Sequence, residues 1–272
     1  MNKHISYRSA ELLTSLNSKN QSFFTIEDAR NILPKSNELA VRQLLSDMSR
    51  RGLILRLKDG LYNIIPYERN INDYYPNWHI VAEKIVQPEE YYIGFYSALD
   101  IHGLITQPSL VEQVVTKEQF SPQTRLIKNV RYQFITLGED RFFGFQKTWI
   151  DDFNKVWCSD LEKTIIDCLY MPRYANGITE IIKAIYQCKA KVNIDKMQKY
   201  LDKYKTEVVL KRLGFILEQL GILESLLDLI KNRISKSYAV LDPSSPHKGK
   251  RYNKWKIIDN IGIDSSLKSL TT

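Results

Sequence analysis

Residues 25–64 read TIEDARNILPKSNELAVRQLLSDMSRRGLILRLKDGLYNI, and this stretch decides the fold of the N-terminal part of the chain. Thr25 is a suitable N-cap, because its hydroxyl can accept a hydrogen bond from a free backbone N–H, and Asp28 completes something close to a capping box. A short helix is therefore predicted over residues 26–33. Pro34 ends it, since a proline ring disfavours helical geometry in the preceding residue.

A second helix is predicted from a cap at Ser36 or Asn37 to about residue 51. Apolar residues recur along it at helical spacing and form one face: Ala40, Val41, Leu44, Leu45 and Met48. Four basic or polar residues form the other face: Arg42, Gln43, Ser46 and Arg50. We expect no carboxylate between these four, with Asp47 at the edge of the face.

The segment after the second helix predicts a hairpin. Gly52 ends the helix, residues 53–57 alternate as a strand should, and residues 58–60 supply a turn before the strand 61–64 returns. With a further helix predicted over residues 6–16, the order of elements is that of a winged helix-turn-helix. A helix of this type enters the DNA major groove, where arginine and glutamine make two-pronged contacts with base edges.

The candidate DNA-binding residues follow from that order. Arg42, Gln43, Ser46 and Arg50 are expected to read bases. Arg56 and Lys58, at the tip of the hairpin, are expected to contact phosphates or the minor groove. The alternative is a protein-docking module in which this helix face is only solvated.

The distribution of charge agrees with a polyanionic partner. The 272 residues carry a net charge of +8, with a pI of about 9.2. Residues 1–66 hold 10 Lys and Arg against 6 Asp and Glu, residues 245–272 hold 6 against 2, and residues 183–212 hold 9 against 3. The excess is thus clustered, which indicates two or three basic surfaces.

The length and the pattern of elements predict two domains and an α+β fold. The expected domains are a winged helix-turn-helix domain over residues 1–68 and a larger mixed α+β domain over residues 69–272. Strands over 111–116, 130–136 and 142–150 predict a small antiparallel sheet in the second domain. Helices are expected over 78–86, 91–103, 161–169, 178–188, 194–204, 208–220 and 223–234, with late strands at 238–241 and 254–258.

No motif for catalysis or metal binding emerges, so neither an enzyme nor a cofactor is expected. The four histidines have no metal spacing, and Cys158, Cys168 and Cys188 have no Cys-x-x-Cys spacing, which favours three buried thiols. Asp151-Asp152 is adjacent rather than spaced for a metal pair, and His102 is expected to be a helix cap or a satisfied core residue. The sequence shows neither an apolar run of membrane-spanning length nor a signal peptide, which predicts a cytoplasmic protein.

Four segments of the second domain resemble the AbiEi family of abortive-infection antitoxins and related transcriptional regulators. They are residues 97–104 (SALDIHGL), 159–167 (SDLEKTIID), 177–181 (GITEI) and 211–218 (KRLGFILE). The resemblance implies a phage-defence antitoxin from a toxin–antitoxin operon that represses its own promoter at inverted repeats in double-stranded DNA. It also implies that the protein opposes a nucleotidyltransferase-type toxin, commonly without a stable complex.

A basic stripe offers the second domain a way to contact DNA. Lys196, Lys199 and Lys203 recur at three- and four-residue intervals on one predicted helix, and Lys211 and Arg212 extend the region. An ordinary solvated lysine face is the alternative. Glu162-Lys163 is expected to be structural, in an ion pair or a helix-end contact. Two other functional classes remain open: an antidote that grips the toxin through the second domain, and a metal-dependent nuclease using Asp151 and Asp152.

Overall fold

Two units make up the chain, residues 1–88 and residues 89–272. The structure is a computed structural model, and it describes residues 5–105, 107, 109 and 111–264. Among these residues the architecture is a mixed α+β fold with ten α-helices and three sheets. No helix in the described ranges is both long enough and apolar enough to cross a membrane.

The first unit opens with three helices and a three-stranded antiparallel sheet. Its elements are α1 (Tyr7–Ser18), β1 (Phe23–Thr25), α2 (Ile26–Ile32), α3 (Glu38–Arg50), β2 (Ile54–Lys58) and β3 (Leu61–Ile64). The strand order is β1-β3-β2, with both neighbouring pairs antiparallel. The three helices and the sheet share one apolar core, in which Leu12, Val41, Leu45 and Met48 are fully buried.

Local hydrogen bonds explain where these elements begin. The Thr25 hydroxyl accepts from the Asp28 N–H, and the Asp28 carboxylate accepts from the Thr25 N–H at 2.7 Å, so the capping box predicted for α2 is confirmed. The Asn37 side chain accepts from the Ala40 N–H at 2.8 Å and caps α3. At the β2–β3 turn Gly60 has a φ of +71°, which only glycine adopts without strain.

The first unit extends beyond the expected boundary at residue 68. A further helix, α4 (Trp78–Val86), belongs to it, so the unit ends at Pro88. The Lys58 ammonium donates a hydrogen bond to the Ile85 carbonyl at 2.7 Å, which ties α4 to the β2–β3 turn. The polar run after Pro66, which the sequence suggested as the joint between domains, therefore lies inside the first unit.

The second unit is built on a six-stranded sheet in the order β6-β7-β5-β4-β9-β8. Its strands, with the helix α5, are β4 (Tyr91–Ile93), α5 (Phe95–Ile101), β5 (Val111–Thr116), β6 (Thr124–Ile127), β7 (Val130–Thr136), β8 (Phe145–Trp149) and β9 (Lys155–Ser159). The expectation of a small antiparallel sheet is wrong in part, because β4 with β9 and β5 with β7 run parallel.

The expectation of one helix over residues 91–103 is also wrong. Residues 91–93 are buried on both faces and pair with β5, so they read equally well as one turn of a buried helix or as a short strand. Gly94 separates this strand from α5. A Cβ atom there would lie 2.8 Å from the Val115 side chain, so the close approach of the two strands requires glycine.

Helices cover the rest of the second unit. They are α6 (Leu161–Tyr170), α7 (Ile178–Cys188), α8 (Ile194–Tyr204), α9 (Glu207–Leu220) and α10 (Glu224–Lys231). A small sheet follows in the order β10-β12-β11, formed by β10 (Ala239–Val240), β11 (Lys250–Tyr252) and β12 (Ile257–Asp259). The helix α6 packs against α5, α7, α8 and α9, and every residue from 162 to 169 is buried.

Candidate nucleic-acid interface

The outer face of α3 carries the four residues expected to read bases. Arg42, Gln43, Ser46 and Arg50 are all exposed, while Val41, Leu45 and Met48 of the same helix are turned into the core. The exposed fractions of the Arg42 and Arg50 side chains are 57% and 74%. The predicted orientation of the helix is therefore confirmed for both arginines.

Each arginine of this face is nevertheless paired with a carboxylate. Arg42 donates through Nε and Nη2 to Glu38 Oε1, at 3.0 and 2.9 Å, and this hydrogen bond holds the pKa of Glu38 below its usual value. Arg50 pairs with Asp47, which also accepts from the Gln43 amide at 3.2 Å. Glu38 and Asp47 thus border the face and pair with its arginines, because residues three or four apart on a helix are neighbours.

A polar cleft of about 350 Å³ lies between α3 and the β2–β3 hairpin. Eight residues line it: Arg42, Leu45, Ser46, Ser49, Arg50, Arg56, Asp59 and Tyr62. Arg56 is exposed on β2 and pairs with Asp59 in the turn. The cleft brings the predicted helix arginines together with Arg56, so three guanidinium groups border one groove.

Lys58 does not have the role expected from its position in the turn. Its ammonium donates to the Ile85 carbonyl and is partly buried there. The group is therefore held by the backbone of α4, and it does not project from the hairpin as a phosphate contact would. The sequence could not show this, because Ile85 lies 27 residues away.

Leu39 belongs to the same face and was missed from the sequence. Its side chain is 76% exposed in the first turn of α3, directly after Glu38. The signal was present, since Leu39 is out of phase with the buried positions 41, 45 and 48. Leu39 therefore adds an exposed apolar side chain to the polar outer face of α3.

The basic stripe expected on α8 is only partly available. The Lys196 ammonium lies 3.1 Å from both the Asp160 and the Glu162 carboxylates, which join the start of α8 to the start of α6. Lys203 lies over the Phe143 ring, 4.3 Å from its centroid. Lys199 is exposed. The prediction of three solvent-facing lysines is therefore wrong for Lys196, which instead joins α8 to α6.

Lys211 and Arg212 are buried, so the expectation that they contact DNA is wrong. Their exposed fractions are 2% and 4%. Arg212 donates to the carbonyls of Leu169, Tyr170 and Val240, at 2.6 to 3.3 Å, and thereby satisfies the free carbonyls at the C-terminal end of α6. Burial lowers the pKa of Arg212 to about 10, so the side chain stays charged at neutral pH.

Lys211 anchors the segment after α10 to α9. Its ammonium donates to the Ser237 carbonyl at 2.6 Å and pairs with Glu207 at 2.8 Å. Glu207 in turn accepts from the Ser235 N–H, and these hydrogen bonds lower its pKa to about 2. Lys211 and Arg212 therefore face the protein interior, unlike Lys199 and Lys203 on α8, which are exposed.

Lys163 is the most deeply buried cation among the described residues. Its ammonium lies 2.5 Å from Asp167 Oδ1 and 3.0 Å from the Tyr92 hydroxyl, and neither charged side chain is exposed. Tyr204 and Tyr92 donate to the two Asp167 oxygens at 2.9 Å each. Burial raises the pKa of Asp167 and lowers that of Lys163.

The structural role expected of Glu162-Lys163 is confirmed. The two side chains have separate partners, because adjacent helix residues do not face each other. Glu162 accepts from the Asn193 N–H at 2.8 Å and pairs with Lys196, whereas Lys163 pairs with Asp167. The network holds α6 against its neighbours, with the Lys163–Asp167 pair closed to solvent and Lys196 at its partly exposed edge.

The residues considered for catalysis have structural partners. The Asp151 carboxylate accepts from the backbone of Phe153 and Asn154 and from the Asn154 amide within its own turn. The His102 ring bonds the Ser159 carbonyl at 2.8 Å, as expected of a satisfied histidine. Cys158, Cys168 and Cys188 are free and buried, which confirms that prediction. The described ranges contain no group of three or more His, Cys, Asp or Glu arranged to hold a metal ion.

Comparisons with known proteins give a fold and no family. No family model matches the chain, and no curated protein matches it. Among solved structures, the chain is similar to the crystal structure of the Rv2827c protein from Mycobacterium tuberculosis, with a TM-score of 0.76 and 10% sequence identity. The likeness covers 100% of this chain and 97% of that one. At this identity it shows that the two chains share a fold.

Proposed function

We propose that the first unit is a winged helix-turn-helix that binds double-stranded DNA, with α3 in the major groove and the β2–β3 hairpin as the wing. The order α1-β1-α2-α3-β2-β3 and the antiparallel sheet β1-β3-β2 support this interpretation. The observation that carries it is the outer face of α3, where Arg42 and Arg50 are exposed beside a polar cleft shared with Arg56.

The carboxylates of this face favour binding that depends on base sequence. Glu38, Asp47 and Asp59 each neutralise one arginine, which reduces the general attraction of the face to phosphates. Exposed ion pairs contribute little to stability, so an arginine can exchange its carboxylate for the N7 and O6 atoms of a guanine. The free protein thus holds its arginines in place until a suitable base pair replaces the carboxylate.

We further propose that the chain is the antitoxin and autorepressor of a toxin–antitoxin operon. The resemblance of four segments to AbiEi-family proteins supports this role, as does the clustered positive charge of the N-terminal residues. In this proposal the protein binds inverted repeats in its own promoter and opposes a nucleotidyltransferase-type toxin. The second unit would supply the antitoxic activity, with Lys199 and Lys203 as the members of the α8 stripe that are exposed to a partner.

The DNA-binding proposal is tested with a labelled duplex from the region upstream of the chain's own reading frame. Fluorescence anisotropy would compare this duplex with a shuffled duplex of the same length for the wild-type protein, Arg42→Ala and Arg8→Ala. Arg8 is an exposed arginine on α1 and serves as the matched control. We expect Arg42→Ala to weaken binding to the upstream duplex by about 10- to 100-fold, with little change on the shuffled one.

Two outcomes would reject the base-reading role of Arg42. One is an equal loss on both duplexes, and the other is an equal loss for Arg8→Ala. The antitoxin proposal has a separate test, in which the neighbouring reading frame is expressed with and without this chain. Growth arrest by the neighbour that this chain does not relieve would exclude the antitoxin role and leave the DNA-binding result standing.

A further inference from the structure

The outer face of the β8–β9 hairpin alternates lysine and tryptophan on both strands. The antiparallel register places Lys147 opposite Trp157 and Trp149 opposite Lys155, so the four side chains share one face. Each lysine lies over the ring of the tryptophan opposite it, with the ammonium 5.2 Å from the Trp157 centroid and 4.2 Å from the Trp149 centroid. The face is therefore a two-by-two pattern of cations and large aromatic rings.

This face is open to solvent at the edge of the six-stranded sheet. Trp149 is 59% exposed and Trp157 is 38% exposed, and Phe153 at the tip of the hairpin is 88% exposed. The opposite face of β9 carries Val156 and Cys158, which are fully buried. Val156 and Cys158 thus serve the core through the inner face. On the outer face the Trp157 ring packs edge-to-face on Phe145, with centroids 5.7 Å apart, and more than half of the Trp149 side chain remains open to solvent.

We propose that this outer face binds single-stranded RNA, with unpaired bases stacked on Trp149 and Trp157 and the backbone phosphates contacted by Lys147 and Lys155. Bases and phosphates alternate along a nucleic-acid strand, as rings and ammonium groups do on this hairpin. Every base has a flat face that can stack on an aromatic ring, so such a surface binds with little sequence preference. RNA is the occupant to which we commit, because its loops and ends present unstacked bases for aromatic side chains.

The dimensions of the hairpin suit successive nucleotides. Trp149 and Trp157 are diagonal neighbours across the strand pair, a relation that places Cα atoms about 7–8 Å apart in an antiparallel sheet. Two successive bases of one strand can therefore stack on the two tryptophan rings. An exposed cation–π contact is weak, so an arriving base can displace the lysine from the ring, and the freed ammonium can pair with the adjacent phosphate.

The open tryptophan rings and their interleaving with lysines favour a single strand over a nucleic-acid duplex, a membrane or an apolar protein surface. The bases of a duplex are already stacked on each other and cannot cover the tryptophan rings. A membrane-binding surface gathers its apolar residues on one side and its cations on the other, whereas this face interleaves them. The nearest acidic pair is in the turn, where Asp151 accepts hydrogen bonds from its own loop and Asp152 is exposed.

The inference goes beyond the proposed function, since it concerns a different unit and a different kind of nucleic acid. The test uses the full chain and a fluorescein-labelled oligouridylate, with binding measured by anisotropy at several salt concentrations. We expect Trp149→Ala and Trp157→Ala each to weaken binding by about tenfold, and Trp149→Phe to retain most of it. Lys147→Ala and Lys155→Ala should each reduce the slope of log K against log salt by about 0.7.

Two matched variants control for general effects of substitution. Gln146→Ala changes an exposed residue of β8 whose side chain points away from the proposed face, and Lys236→Ala removes an exposed cation from another part of the unit. Both should bind oligouridylate as the wild-type protein does. Circular dichroism of each tryptophan variant would establish that the sheet is intact.

Several results would overturn the proposal. They are an absence of binding by the wild-type chain, equal losses for the controls and the tryptophan variants, and a clear preference for an oligodeoxythymidylate of the same length. Competition by duplex RNA as effective as that by the single strand would also exclude stacking. Dissociation of a wild-type dimer by Trp149→Ala in gel filtration, or tryptophan-dependent binding to anionic vesicles, would assign the face to another partner.

Discussion

The helices α3 and α9 both carry basic residues, but those of α3 are exposed to solvent and those of α9 are buried in the protein. Arg42 and Arg50 are more than half exposed and meet carboxylates of their own helix, whereas Lys211 and Arg212 are 2% and 4% exposed. Arg212 meets carbonyls of α6 and of the segment at Val240. Distance along the chain does not decide the outcome, because the buried Lys163 meets a carboxylate only four residues away on its own helix. The difference lies in whether other elements pack over the helix face that carries the cation.

We expect the largest effect on stability from breaking the buried Lys163–Asp167 ion pair in α6. Asp167→Ala leaves the enclosed Lys163 amine without its carboxylate partner, whether it stays charged or loses its proton, so we expect the free energy of unfolding to fall by about 3–5 kcal/mol. Urea unfolding followed by tryptophan fluorescence would measure it, since Trp149, Trp157 and Trp255 lie in the second unit. The matched exposed change, Glu38→Ala, should leave the unfolding midpoint almost unchanged. Equal midpoints for the two variants would remove the distinction between the regions.

The next test concerns the end of α6. Arg212→Met removes the donor that three backbone carbonyls share, and unsatisfied buried acceptors are costly, so a loss of about 2–3 kcal/mol is expected. Lys199→Met on exposed α8 is the control and should be neutral. If both substitutions were neutral in urea unfolding, water would have replaced the guanidinium, and Arg212 would not be a structural residue.

Much of the fold follows from local patterns. The capping residues Thr25 and Asn37 start two helices where the sequence indicates, and β5 and β7 have the predicted bounds. These features depend on neighbours within four residues or on a plain alternation of side chains. The short strands β1, β4, β6 and β9 were missed, because a segment of three to five residues contains too few positions to establish a period.

The candidate site also combines features that local sequence predicts with features that depend on distant parts of the chain. The outer face of α3 was predictable, because helical period alone separates its exposed and buried residues. Lys58, Lys211 and Arg212 each bond a group that lies 24 to 43 residues away, and no local pattern could indicate these contacts. The segments at 159–167 and 211–218 that carry the family resemblance form the buried network and the α9 packing, which makes them markers of fold.

We expect a smaller effect from Glu207, whose carboxylate makes the stability of the protein depend on pH in the acid range. The pKa of Glu207 is lowered to about 2 by hydrogen bonds from Lys211 and Ser235, against 4.5 for an ordinary glutamate. A depressed carboxylate stabilises the fold above its unfolded pKa, and that contribution is lost as pH falls from about 4.5 toward 2. Glu207→Gln should therefore flatten the fall in thermal midpoint over this acid range. Parallel curves for the two proteins would contradict this role.

We expect the smallest effect from Glu38→Gln, which changes an exposed ion pair of α3. Glu38 is ionised at neutral pH like any exposed glutamate, and its hydrogen bond from Arg42 lowers its pKa further, so Glu38→Gln removes a full negative charge from the proposed DNA-binding face. The released Arg42 can then pair with a phosphate, and binding to shuffled duplex DNA should strengthen several-fold. The slope of log K against log salt should steepen by about 0.9. Glu27→Gln, on exposed α2, is a control that removes an equal charge outside the α3 cleft. A gain as large for Glu27→Gln would mean that net charge alone governs binding, and the carboxylates of α3 would have no part in selecting base sequence.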